Sequence, residues 1–273
     1  PELDPTWQTI NDDELKRLKT QVMREARAAG GNMDDAWAKV AKAIEIDRRL
    51  HEFEQAGVRA TYHACDVADS AALADVLETI RRSSGPIEGI IHGAGVERSA
   101  KFERKSAEHL QSTVGSKVDG AWNLMRLTWR DPIRHFLGFG SISGRMGSNG
   151  QVDYCIASDL LCKLIAWYRW QRPGVHATGF HWHSWAEIGM AAKAETAKVL
   201  ERSQGPSAMP KQEGVDHFLR EVLAPRSPAE VLVTTWEYHG RYYGTSDHPV
   251  SVPLPSESAE STARRESGGY LPA

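Results

Sequence analysis

The sequence has little of several things, and each shortage excludes something. Its three cysteines, Cys65, Cys155 and Cys162, form no CxxC pair and are odd in number. That argues against a disulfide framework and for reduced thiols in a cytoplasmic protein. No apolar run approaches the roughly 18 residues a membrane span needs, and no basic-then-apolar secretory signal opens the chain. Positive charge is not in surplus: 33 Lys and Arg face 36 Asp and Glu, a net of −3, so nothing marks a nucleic-acid or membrane partner. No internal repeat occurs. There are 23 glycines, yet none falls into a GxGxxG or TGxxxGxG turn, the kind that offers backbone N–H groups to a phosphate.

What is present reads as alternating helices and strands. With 273 residues the chain can hold one or two domains and a sizeable core. It opens on Pro1 and reads there like mid-protein sequence, so a piece of something longer is expected. Residues 1–11 read as a connector. Helix formers run from Asp12 to about Ala29, with Leu15, Leu18, Val22 and Met23 on one stripe, until Gly30-Gly31-Asn32 breaks them. A second helical pattern, Met33 to Gln55, carries Trp37, Val40, Ala41, Ile44, Leu50 and Phe53 as a packing surface. Val58 to Val67 reads as a strand, and Asp69-Ser70 as the N-cap of a helix to about Arg82. Ile87 to Ile91 reads as a strand running into His92-Gly93-Ala94-Gly95.

Ser106 to Trp129 reads as one long helix with Leu110, Val114, Val118, Trp122 and Met125 on its apolar face. Later strands are expected at Val175–Trp185 and Glu230–Trp236, and helices at 190–204 (a lid) and 209–223. Beyond His248 the composition is that of a disordered linker. His181 and His183 alternate onto one strand face and invite a zinc reading, but no third ligand stands at a recognisable spacing, so packing or a substrate contact is preferred.

The most informative stretch is residues 134–166. An apolar strand, Phe136 to Phe139, stops at Gly140 and gives way to a small-residue turn, Ser141 to Gly150. A helix follows, with Ile156, Leu160, Leu161, Leu164 and Ile165 at helical spacing. Ser141 is thereby placed at the carboxyl end of a strand and Tyr154 in the first turns of a helix, on the edge where open α/β sheets bind ligands. A Ser thirteen residues ahead of a Tyr in this setting resembles the active site of short-chain dehydrogenases/reductases. Most of that family carries Lys four residues after the Tyr, where Ser158 stands here. Ketoreductase domains of polyketide and polyunsaturated-fatty-acid synthases instead carry it 24 residues before the Ser, which is Lys117 in VGSKVDGAWNL. HGAG at 92–95 and Trp182-x-x-Trp185-x-x-x-Gly189-Met190 resemble further motifs of the same branch, with His183 where Gly is usual.

The resemblance implies an α/β fold with a Rossmann-like doubly wound parallel sheet. That sheet lacks its first βαβ unit in this chain, and an N-terminal helical hairpin is inserted. The implied divisions are a connector and hairpin at 1–57, a catalytic domain at 58–245 and a tail at 246–273. The implied reaction is NADPH-dependent reduction of a 3-oxoacyl group on an acyl carrier protein. Tyr154 would protonate the carbonyl oxygen, Ser141 would hold it, and Lys117 would lower the tyrosine's pKa and bind ribose hydroxyls. Ser158 would replace the usual Asn of the proton relay. Asp66 and Val67 would touch the adenine, and His92, Gly93, Ala94, Gly95, Lys117 and Tyr154 would lie along the rest of the cofactor. Other synthase domains would be partners, and a homodimer is allowed. The Leu-Asp-Asp signature of one stereochemical type is absent, since Glu97-Arg98-Ser99 follows Val96. Two other readings stand beside this one: a non-catalytic reductase-like domain of a synthase, and a stand-alone dehydrogenase acting on a free small molecule.

Overall fold

The computed structural model describes residue 7 and residues 10–186, 188–190, 208–225 and 227–234. The chain forms two compact units, one of residues 1–87 with 122–132, the other of 88–121 with 133–273.

The first unit is helical. Helix α1 (Asp12–Ala28) begins at a capping box: Asn11 accepts from the N–H groups of Asp13 and Glu14, and the Glu14 carboxylate accepts from Asn11 N–H. Helix α2 (Met33–Gln55), capped by Asn32, packs on α1 and buries Ala43, Ile44 and Asp47. Both helices fall where their apolar spacing and caps predict. Helix α3 (Ser70–Ser84) is capped by Asp69. Arg81 donates to both carboxylate oxygens of Asp131, at 3.2 and 2.7 Å, a two-pronged bond between planar groups.

Residues 58–66 form no strand, contrary to expectation. A strand is stable only as one rung set of a ladder, and among the described residues this segment has no strand partner. It ends instead in a side-chain turn, where Asp66 Oδ1 accepts from Ala68 N–H.

The second unit carries a four-stranded, wholly parallel sheet in the order β1-β2-β3-β4: Gly89–His92, His135–Ser141, His176–Trp182 and Glu230–Val233. Between β1 and β2 run α4 (Ala107–Val114), a π turn (Gly115–Asp119) and α5 (Gly120–Leu127). Then follow α6 (Ile142–Met146), α7 (Val152–Gln171) and, before β4, α8 (Lys211–Leu223). Alternate residues of a strand face opposite sides. One side of β2 and β3 presents Leu137, Phe139, Phe180 and Trp182, which pack with Phe218 and Val222 of α8. The other presents Gly138, Gly140 and Gly179, and α7 lies directly on them: a Cβ on Gly179 would come within 2.9 Å of the Cys162 Cα. This close seat fixes α7, and with it Tyr154, against the sheet.

Ile156 and Leu160 sit on the outer side of α7 at 49% and 44% exposure, whereas Leu161 and Ile165 are fully buried. The apolar spacing read from the sequence therefore combines two faces of one helix. No helix among the described residues is long and apolar enough to cross a membrane. The lid expected at 190–204 lies outside the described residues from 191 on, as does everything beyond 234.

Candidate active site

Three elements of the second unit meet at the carboxyl end of the sheet. The helix between β1 and β2 supplies Lys117, which is 2% exposed. It lies inside the π turn, where the N–H of Gly120 reaches back five residues to the carbonyl of Gly115. Such a turn spends one extra residue and rotates everything after it. The expected stripe is consequently only partly the buried face: Met125 is 1% exposed, and Leu110, Val114 and Val118 are half-buried. Trp122 is 45% exposed, while Thr113, Gly115, Lys117 and Ala121 are buried.

The Lys117 ammonium donates to the carbonyl of Phe139 at 2.8 Å and stands 5.3 Å from the centre of the Tyr154 ring. Burial lowers its pKa to about 8. The backbone carbonyl of Lys117 is taken as well: His92 Nε2, at the end of β1, lies 2.9 Å away, and a carbonyl only accepts, so this nitrogen carries a proton. Burial also pushes His92 down to about 4. The ring is therefore neutral at physiological pH. After it, Gly93 has open space where a Cβ would be, and a Cβ on Gly95 would stand 3.0 Å from Lys117 Cε and Nζ.

Ser141 is the last residue of β2 and caps α6, its hydroxyl accepting from Ser143 N–H at 3.2 Å. The turn read after Gly140 thus contains one more strand residue and a short helix. Tyr154 lies in the first turn of α7, as expected. Burial raises its phenol to about 12; the hydroxyls of Ser141 and Ser158 act the other way, and the Glu97 carboxylate adds to the rise. The expected lowering by Lys117 is not among these effects, because the ammonium faces the ring and is bonded to Phe139 rather than to the phenol oxygen. Ser158 is fully buried, and its Oγ has no partner within strict hydrogen-bond geometry; the Tyr154 phenol is its looser hydrogen-bonding neighbour. Asp66 and Val67 belong to the first unit. There Asp66 is exposed, and the Val67 carbonyl accepts from Asn123.

Several surrounding residues were not singled out by motif. Asp153 and Lys105, each with a side chain 1% exposed, pair at 2.7 Å, and Asp153 also accepts from Thr113 and from Tyr154 N–H. Lys105 donates to the carbonyl of Arg98, so the loop after β1 is bound to the start of α7. Gln151 donates to Glu97 at 3.1 Å and accepts from Ser143 at 3.3 Å. Asp159, His181 and Glu230 come together on the α7 side of the sheet, far apart in sequence and so invisible to spacing.

A family model described as "KR domain" matches residues 25–187. Among curated proteins, one of the subunits of a Thraustochytrium sp. polyunsaturated fatty acid synthase is 30% identical over 252 residues, covering 89% of this chain and 9% of that protein. Polyketide synthase GfsB of Streptomyces halstedii is 38% identical over 172 residues, 62% of this chain and 3% of that one. Among solved structures, a ketoreductase domain from the bacillaene assembly line superposes with a TM-score of 0.65 at 27% identity, over 73% of this chain and 48% of its own. The chain thus spans less than a tenth of these curated relatives and about half of that solved domain.

Proposed function

The chain belongs to the KR domain family, the ketoreductases of type I polyketide and related synthases within the short-chain dehydrogenase/reductase superfamily, and from that premise we propose that it reduces a 3-oxoacyl group, held as a thioester on an acyl carrier protein, to the 3-hydroxyacyl form at the expense of NADPH. The observation that carries this reading is the convergence of Lys117, Ser141 and Tyr154 from three separate elements onto one spot at the carboxyl end of the sheet.

The residues present suit the cofactor where they would reach it. Gly93 leaves open space at the end of β1, and the Lys117 ammonium and Tyr154 phenol offer donors for ribose hydroxyls beside it. Gly93, Ala94, Gly95, Lys117 and Tyr154 of the second unit would hold the nicotinamide riboside. Bound there, the cofactor supplies a hydride to the carbonyl carbon. Tyr154, with its pKa held at about 12, keeps its proton at neutral pH, the state a general acid requires. Ser141 donates to the carbonyl oxygen as negative charge builds on it. The buried Lys117 ammonium stands 5.3 Å from the centre of the Tyr154 ring, beside the place where the substrate oxygen would be protonated.

The test is NADPH consumption with a β-ketoacyl thioester by the full-length polypeptide. Tyr154→Phe should lower turnover by about 10³-fold; undiminished turnover would refute the assignment. Cofactor binding without turnover in the wild type would favour a non-catalytic domain, a reading that Ser158, standing where the family's proton relay has Asn, supports.

A further inference from the structure

Strand β3 carries His181 onto the sheet face that α7 covers, and there it joins a charged cluster that the proposed chemistry leaves unused. The side chain is 1% exposed. Its Nε2 lies 2.9 Å from Glu230 Oε2, and its Nδ1 lies 3.3 Å from the backbone carbonyl oxygen of Ser141. Glu230, the first residue of β4, accepts from Lys163 at 2.7 and 3.0 Å and pairs with Arg145 at 3.0 Å. Asp159 lies 3.5 Å from Arg145 and 4.0 Å from Lys163. Asp159, His181 and Glu230 are close enough to one another to hold a metal ion. Arg145 and Lys163 already bridge both carboxylates, however, so the cluster is an ion network.

The network bears on Ser141 from two directions. A carbonyl and a carboxylate only accept, so in either contact the facing ring nitrogen is the one that donates. Although burial opposes it, hydrogen bonds from Lys163 and His181 hold the Glu230 carboxyl below its ordinary range, which keeps it ionised and a strong acceptor. The last register pair of β2 and β3 is Ser141 with Trp182, so the ladder stops supporting the chain at Ser141. His181 grips the strand side of that junction, and Arg145, one α6 turn further on, ties the helix side to the same Glu230.

We propose that His181 is a positioning residue: by tying the Ser141 backbone to Glu230, it aims the Ser141 hydroxyl at the Tyr154 phenol and the substrate oxygen. This rests on the role given to Ser141 above. The experiment is a double-mutant cycle in the full-length polypeptide, with NADPH and a β-ketoacyl thioester, comparing wild type, Ser141→Ala, His181→Ala and the double variant. His181→Ala should lower kcat by about tenfold or more while the NADPH Kd stays within about twofold. In the Ser141→Ala background the same substitution should change kcat by less than about threefold, because its only route to the chemistry is gone. His181→Gln, which keeps one donor, should fall between and serves in the same cycle if His181→Ala does not fold. Equal fold-losses in both backgrounds, or no loss in either, would overturn the inference. Full turnover in Ser141→Ala would instead remove the role of Ser141, and this inference with it.

Discussion

Lys117 shows at the residue scale how the role proposed for a side chain can oppose stability. An ammonium that is 2% exposed, with its pKa lowered by burial to about 8, is still charged at pH 7. Its unfolded counterpart ionises near 10.5, so the folded state bears a penalty of about 3 kcal/mol for the charge. One hydrogen bond to the carbonyl of Phe139 offsets part of this. Lys117→Met should therefore abolish turnover and yet leave stability at pH 7 unchanged or raised by about 1–2 kcal/mol, as read by urea midpoints. A clear loss of stability would show that the lysine is retained for the fold. The residue was legible in the sequence because of its 24-residue distance from Ser141. Its burial was not legible, since a Lys in a helix ordinarily lies in water. Nor could spacing reveal that the ammonium would face the tyrosine ring.

At the element scale, the glycines of β2 and β3 prove to be the floor under α7. Gly138 and Gly179 differ in what a methyl would meet, and this separates two outcomes. At Gly138 the nearest atom is the Cδ1 tip of Ile165, at 2.1 Å, which can rotate away. At Gly179 the new Cβ would meet the Cys162 Cα, Cβ and Sγ at 2.8–2.9 Å, backbone included. Gly179→Ala should cost about 3 kcal/mol or more and displace α7, while Gly138→Ala should cost about 1–2 kcal/mol. Equal thermal shifts for the two would contradict the tight seat of α7. Helices with strong caps, α1 to α3, were readable to within about two residues. The strand expected at 58–67 was not, because strand propensity records what could pair and says nothing of whether a partner is present. The π turn was equally hidden. Its inserted residue breaks the periodicity on which a helix reading depends, so of the expected stripe Met125 is buried while Trp122 faces outward.

For the molecule as a whole, the parallel sheet and its ligand-binding edge could be anticipated from alternating strands and helices, and the pairs that tie the edge together could not. Those pairs make the second unit sensitive to acid, and the sign follows from where the protons go. His92 has its pKa lowered to about 4 by burial, so the unfolded chain binds a proton below about 6.5 that the folded chain refuses. Stability must then fall as pH drops from about 6.5 to about 4, by at most about 3 kcal/mol from this group. Asp153 is held below its ordinary value by Lys105 and Tyr154 N–H against the opposing effect of burial, and Glu230 by Lys163 and His181 in the same way. Folded carboxylates with depressed pKa values stabilise above the unfolded pKa and lose that contribution as pH falls through the folded one, so both extend the decline below about pH 4. Urea midpoints at pH 7.5, 6, 5 and 4 should drop steadily for the wild type. In His92→Gln, whose amide can still donate toward the Lys117 carbonyl but cannot titrate, the fall between pH 6.5 and 4 should flatten. Identical slopes in the two proteins would mean that His92 is protonated in the folded state, and that the ring does not hold the Lys117 turn as a neutral donor.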